Sequence, residues 1–294
     1  MGFTIKELET LTGIKAHTIR IWEQRYDFLK PSRTTTNIRS YNNEELKTLL
    51  TVALLNKYGY KISKIDDMPA EQRSQEVLNL QFAEARTEHL VHQLIGCMID
   101  LDVQAFESHV DACIRDRGLE ETIATVIFHF LDKIGILWQT GRINPVHEHI
   151  VSNIIRQKII AAIEAFPLPA RQSPLVLLFL PENEYHELGL LFVFFLLRRN
   201  GIAAIYLGAN VPLKDVQYVT RLKKPDYLYL HLTSIPGRLN FSKFLSAVQE
   251  QSPDCRILLS GFIAQGVTQQ AYPHVVPLQS LGQVVSYIAA LPEK

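Results

Sequence analysis

Long apolar runs are missing from this 294-residue chain. The longest, Leu188 to Leu197, falls far short of the ~20 residues that span a bilayer, so no membrane partner is expected. Cysteine is scarce: Cys97, Cys113 and Cys255 are the full set. Their odd number and lack of metal-ligand spacing exclude a disulfide framework and a zinc cluster, and point to free thiols in a reducing compartment. The first residues lack the basic, apolar and small-residue succession of a secretory signal. A cytoplasmic protein is expected. Internal repeats and low-complexity stretches are absent as well.

Net charge is also lacking, with 30 Lys and Arg against 30 Asp and Glu. The balance is uneven along the chain. Met1 to Lys64 carries eleven basic and six acidic residues, which leaves nineteen and twenty-four for the remainder. A basic head on an acidic body implies that only the head meets a polyanion. Hydrophobic residues make up 47% of the chain, enough to bury the cores of two or three domains.

The spacing predicts three segments. Residues 1–70 read as short helices and a hairpin. Thr4 with Glu7, and Asn42 with Glu45, have the spacing of capping boxes that open helices. Gly13 ends the first helix, a second runs from Ala16 to Tyr26, and Leu29 to Tyr41 is polar and β-branched, as a small hairpin is. Asp66-Asp-Met-Pro-Ala70 reads as a linker. Residues 74–167 keep a helical period throughout, which predicts a four-helix bundle. Residues 173–294 alternate apolar strands, near Leu175–Leu180, Ile202–Leu207, Tyr227–Leu232, Ile257–Ser260 and His274–Pro277, with helices. That alternation predicts a doubly wound parallel α/β sheet.

Two helices joined at Gly13-Ile14 make a helix-turn-helix, whose second helix enters a major groove. Lys15, His17, Thr18 and Arg20 stand at its start, where they reach phosphates or base edges. The hairpin adds Arg33, Arg39 and Tyr41. A single arginine is more often a solvated surface charge; the arrangement is what carries weight. The run Thr18-Ile-Arg-Ile-Trp-Glu-Gln-Arg-Tyr26, then Leu29-Lys-Pro-Ser-Arg33, then Arg39-Ser-Tyr41 resembles the MerR family of winged-helix transcription factors. The resemblance covers Phe3 to Ile65. It implies that His17, Thr18, Arg20, Tyr26, Arg33, Arg39 and Tyr41 face double-stranded DNA, with Ile19 and Trp22 in the small core. Asn37 stands where the family has glycine in the wing turn, and asparagine tolerates a positive φ better than most residues. No sustained heptad follows the wing, so self-association into a homodimer or tetramer is assigned to the later domains.

Pro181-Glu-Asn-Glu-Tyr-His-Glu-Leu-Gly189 follows the first strand of the α/β segment. In an open parallel sheet that end lines the ligand crevice. A lone loop histidine is usually solvated, but Glu184, His186 and Gly189 resemble the D-x-H-x-x-G signature of cobalamin-binding domains, with Glu for Asp. The resemblance implies that His186 replaces the base of cobalamin as lower cobalt ligand, while Glu184 holds its other ring nitrogen. Leu207-Gly-Ala-Asn-Val-Pro212 resembles the same family. In the bundle, Trp138, Glu148 and His149 match the W-x9-E-H pattern of the helical cap in CarH/LitR-type repressors. There Trp138 covers the upper corrin face and Glu148 and His149 line the upper pocket, so the ligand is expected between cap and α/β domain. The bland reading is a core tryptophan and a solvated Glu-His pair.

Three positions depart from that family. Gln139 replaces the histidine that light-responsive members place after the cap tryptophan, so a light switch is not expected. His231 replaces the serine of the S-x-L motif, in His231-Leu-Thr233. Phe262 replaces the second glycine after the fourth strand, following Gly261. His231 and Phe262 lie where a nucleotide tail would run. Two readings stay open: a repressor whose assembly and DNA affinity follow a corrinoid, and a regulator that has lost cobalamin and answers another small molecule or protein, or is constitutive. A corrinoid methyl carrier lacks a place for the head, and no catalytic constellation stands out, so no enzyme is expected.

Overall fold

In the computed structural model the described residues are 2–139, 144–169, 174–234, 240–268 and 270–291, without the side chains of 136–139 and 251. The chain divides into two compact units, Met1–Ile154 and Ile155–Lys294.

The first unit opens with α1 (Ile5–Thr12) and α2 (Ala16–Arg25). Thr4 and Glu7 form the expected capping box, and Gly13 closes α1 at φ 74°, a left-handed turn that glycine adopts without steric cost. The hairpin pairs β1 (Ser32–Arg33) with β2 (Arg39–Ser40), antiparallel, and Tyr41 bridges to Phe3. Asn42 and Glu45 cap α3 (Asn43–Lys57). Leu8, Leu11, Ile19, Trp22, Leu29 and Tyr41 are buried and fill the small core. Each such side chain contributes about 1.5–3 kcal/mol.

After α4 (Ile62–Asp66) and α5 (Ala70–Leu78) come α6 (Ala83–Asp100), α7 (Val103–Arg117), α8 (Leu119–Glu121), α9 (Phe128–Gln139) and α10 (Pro145–Glu164). A π-helical stretch, Thr122–Ile127, joins α8 to α9. The middle of the chain is helical, as the period predicted, and the π-helical turn before α9 is the feature that periodicity does not reveal. The stretch read as a linker is a packed turn, with Met68 buried.

The second unit is a five-stranded parallel sheet in the order β4-β3-β5-β6-β7. Its elements are β3 (Leu175–Pro181), α11 (Leu188–Arg199), β4 (Ala203–Val211), α12 (Leu213–Lys223), β5 (Tyr227–His231), α13 (Phe241–Gln251), β6 (Arg256–Ser260), β7 (Val275–Leu278) and α14 (Leu281–Ala289). α11 packs beside α14, and α12 beside α13. The first strand is wholly apolar and Val176 to Pro181 is buried, as a strand covered on both faces must be. The order reverses between β3 and β5, which places the switch point, and the ligand crevice, at their carboxyl ends. β4 runs four residues further than the apolar pattern indicated: its pairing with β3 continues to Pro181 and Val211 across register shifts, with Gly208 and Asn210 at positive φ.

Candidate functional site

On the head, His17 and Arg20 are exposed at the start and middle of α2, and Thr18 is half-buried beside them. Lys15 is exposed and pairs with Glu9 at 3.2 Å. Tyr26 stacks on Phe28, ring centroids 5.9 Å apart. In the wing, Asn37 has φ 62°, so it supplies the left-handed turn expected of it. Arg33 Nη1 donates to Asn37 Oδ1 at 3.0 Å and steadies that turn.

Arg39 and Tyr41, expected to face DNA, both bind Glu23. Arg39 Nε donates to both oxygens of Glu23, at 3.0 and 2.7 Å. The Tyr41 hydroxyl donates to the same carboxylate at 3.2 Å, and Tyr41 is fully buried. Burial and the neighbouring Glu23 push its phenol well above the ordinary range. Glu23 is thus the pin between recognition helix and wing. Sequence reading missed it because its partners lie sixteen and eighteen residues away.

In the α/β unit, the loop after β3 brings Glu184 and His186 together. Glu184 Oε1 accepts from His186 Nδ1 at 2.6 Å and from the His186 backbone N–H at 2.9 Å. Ser234 Oγ donates to Glu184 Oε2 at 3.2 Å. Burial alone would raise the Glu184 pKa, but these hydrogen bonds win and hold it below the usual carboxylate value. Glu184 is buried while the His186 side chain is 65% exposed. The pairing of Nδ1 with the carboxylate sets the orientation of the ring. Two asparagines in left-handed backbone, Asn183 and Asn210, stitch the loop to the end of β4. The Asn183 N–H donates to Asn210 Oδ1 at 2.9 Å, and the Asn210 N–H to the Glu184 carbonyl at 3.0 Å.

Glu187 is a second anchor that sequence reading overlooked. Its oxygens accept from Arg156 Nε and the Tyr206 hydroxyl, each at 3.0 Å. Only the carboxylate count of the loop hinted at it; Arg156 is 31 residues distant.

Of the remaining expected residues, Gly189 and His231 meet. His231 is beside Gly189: a Cβ on Gly189 would lie 2.2 Å from His231 Nε2. Desolvation lowers the His231 pKa to about 4. Thr233 is exposed. Gly261 has φ 89°, and a Cβ there would lie 2.4 Å from the Leu232 carbonyl, so the glycine is required by backbone approach. Phe262, which follows Gly261 at the end of β6, is 69% exposed. Glu148 accepts from Ser152 Oγ at 2.6 Å, and its other oxygen lies 3.2 Å from His149 Nδ1, in the first turns of α10. The side chains of Trp138 and Gln139 lie outside the described residues.

Known proteins resemble this chain segment by segment. Residues 3–72 match the model of the MerR HTH family regulatory protein. Residues 90–162 match the model of the B12 binding domain. The HTH-type transcriptional repressor CarH of Myxococcus xanthus is 26% identical over 249 residues, 83% of this chain and 83% of that protein. The repressor CarA of the same organism is 27% identical over 257 residues, 83% of this chain and 81% of that one. A Methanosarcina barkeri monomethylamine corrinoid protein shares the fold, with a TM-score of 0.52 and 11% identity, over 69% of this chain and 98% of that one. The chain thus joins a MerR-type helix-turn-helix head to a B12-binding-type domain, and is homologous to the CarH and CarA transcriptional repressors.

Proposed function

We propose that this protein is a transcriptional repressor whose assembly and DNA affinity are set by a corrinoid held on His186. It is not an enzyme; its homologues are repressors. The observation that carries the ligand reading is the exposed imidazole of His186, locked at 2.6 Å by the buried carboxylate of Glu184. That donor set fits the lower position of a cobalt ion: one neutral nitrogen ligand, its tautomer fixed by an acid on the far nitrogen. When bound, the corrinoid supplies a cobalt centre whose lower site accepts an imidazole. Glu184, Ser234, Asn183 and Asn210 orient that imidazole before the ligand arrives.

His17, Thr18 and Arg20 are the groups proposed to read a major groove, with Lys15, Tyr26 and Arg33 on phosphates. Arg39 and Tyr41 act through Glu23, by holding wing and recognition helix together. A homodimer or tetramer on a two-fold symmetric site supports such reading. Ligand control requires that the corrinoid bind one assembly better than another.

Gel filtration in the dark tests the ligand reading, with protein mixed with adenosyl-, methyl- or hydroxocobalamin or with cobinamide. A corrinoid with a histidine-ligated visible spectrum is expected to travel with the protein, and to be lost in His186→Ala. Bare protein peaks with every form would refute the ligand, and the elution volume reports the assembly state in the same run.

A further inference from the structure

The switch point between β3 and β5 is where this topology opens a crevice into the domain. Here the ring of His231 lies at that point, against Gly189. Gly189, at the start of α11, has no Cβ, and the space a Cβ would take is met by the ring of His231, with Nε2 at 2.2 Å and Cδ2 at 2.3 Å from the Cβ position. The ring is fixed from its other side. His231 Nδ1 and Ser260 Oγ are hydrogen-bonded at 2.9 Å, and Ser260 Oγ accepts from the Tyr229 hydroxyl at 2.9 Å. Tyr229 is fully buried, so the row Tyr229–Ser260–His231 runs from the core to the crevice.

A hydrogen bond spans the two sides of the switch point as well. Ser234, on the β5 side, donates to Glu184, on the β3 side. The loop after β6 is laced to the loop after β5: the Leu232 N–H donates to the Ser260 carbonyl at 2.9 Å, and the Ile263 N–H to the Leu232 carbonyl at 3.1 Å. The His186 ring remains largely exposed.

These two facts bear on which corrinoid the site takes. In intact cobalamin the nucleotide base occupies the lower cobalt position. His186 coordinates only when that base leaves, and the displaced base remains tethered by its arm. The arm then needs room in the domain that carries His186. The switch point holds His231 instead. A corrinoid without a nucleotide arm meets no such conflict.

We infer that His231 is a specificity-determining residue that selects corrinoids lacking a lower nucleotide arm, the cobinamide class, over intact cobalamin. The inference rests on the reading that His186 ligates a corrinoid. Selection here is by exclusion: the wrong ligand meets a filled, hydrogen-bonded volume, while the right one gains nothing new.

The full chain is titrated in the dark with cobinamide and, separately, with hydroxocobalamin, while the visible spectrum follows histidine coordination. Wild-type protein is expected to bind cobinamide at least about tenfold more tightly. His231→Ser, which keeps a hydroxyl near Ser260 but empties the cradle, is expected to raise cobalamin affinity and leave cobinamide affinity unchanged. His231→Asn, which retains more volume, is expected to fall between them. Equal wild-type affinities would overturn the inference without any variant and leave the His186 reading standing. An unchanged preference in folded His231→Ser would overturn the role of His231. No histidine-ligated spectrum with either compound would overturn the reading of His186 and the selectivity together.

Discussion

Glu184 shows how a single buried carboxylate acts through its neighbour. It fixes the His186 ring by a short hydrogen bond and is itself steadied by Ser234. Removing its charge in Glu184→Gln is expected to weaken corrinoid binding by about 10–100-fold, the usual effect of losing the group that orients a histidine ligand; a spectral titration measures it. His92 is a different case. It is buried, with both ring nitrogens lacking a hydrogen-bond partner among the described residues. Burial first, then the charges of Lys133, His89 and Lys57, lower its pKa to about 3. The unfolded chain, with an ordinary histidine pKa of about 6.5, therefore takes up the proton first. Stability from keeping His92 neutral is complete above pH ~6.5 and is lost as pH falls toward ~3, by up to about 1.4 kcal/mol per pH unit. Denaturant melts of wild type and His92→Phe across that window are expected to show a shallower acid decline in the variant. An unchanged decline would assign the acid sensitivity to other groups.

At the scale of elements, the head is held by pins that bridge distant segments. Glu23 receives Arg39 from the wing and Tyr41 from the strand beyond it. Glu23→Ala leaves a buried phenol without its acceptor and is expected to cost about 1–3 kcal/mol, read as a lower thermal midpoint, and to weaken DNA binding by loosening the wing. Lys133, from α9, donates to the Leu11 carbonyl at 2.8 Å at the end of α1. Lys133→Met is expected to destabilise the first unit by about 1–2 kcal/mol, because that carbonyl loses its donor; hydrogen exchange at α1 reports it. These pins explain what was legible and what was not. Both capping boxes were readable because their partners lie three residues apart and the spacing is local. The five strands and the Glu184–His186 pair were readable for the same reason. Glu23 with Arg39, Arg156 with Glu187, and His231 with Gly189 required the fold, since 16, 31 and 42 residues separate them. The π-helical turn at Thr122–Ile127 stayed hidden because one extra residue in a turn barely disturbs an apolar helical period.

For the whole molecule, the uneven charge along the chain governs encounter with DNA. Affinity for a selected duplex is expected to fall steeply with salt, as phosphate contacts release counterions. Arg33→Ala is expected to reduce the slope of log affinity against log salt by about one if Arg33 holds a phosphate. An unchanged slope would place Arg33 in the wing turn alone, on Asn37. Coupling between ligand and DNA is reciprocal: whatever factor the corrinoid applies to DNA affinity, DNA applies to corrinoid affinity. The central claim is that occupancy of His186 sets DNA binding. The most direct measurement is the affinity for a duplex selected from a random pool, in wild type and His186→Ala, at zero and saturating cobinamide or cobalamin, with occupancy followed in the visible spectrum. A change of at least about fivefold in wild type, absent in His186→Ala, is the predicted result. Equal DNA affinity at zero and full spectral occupancy would contradict it.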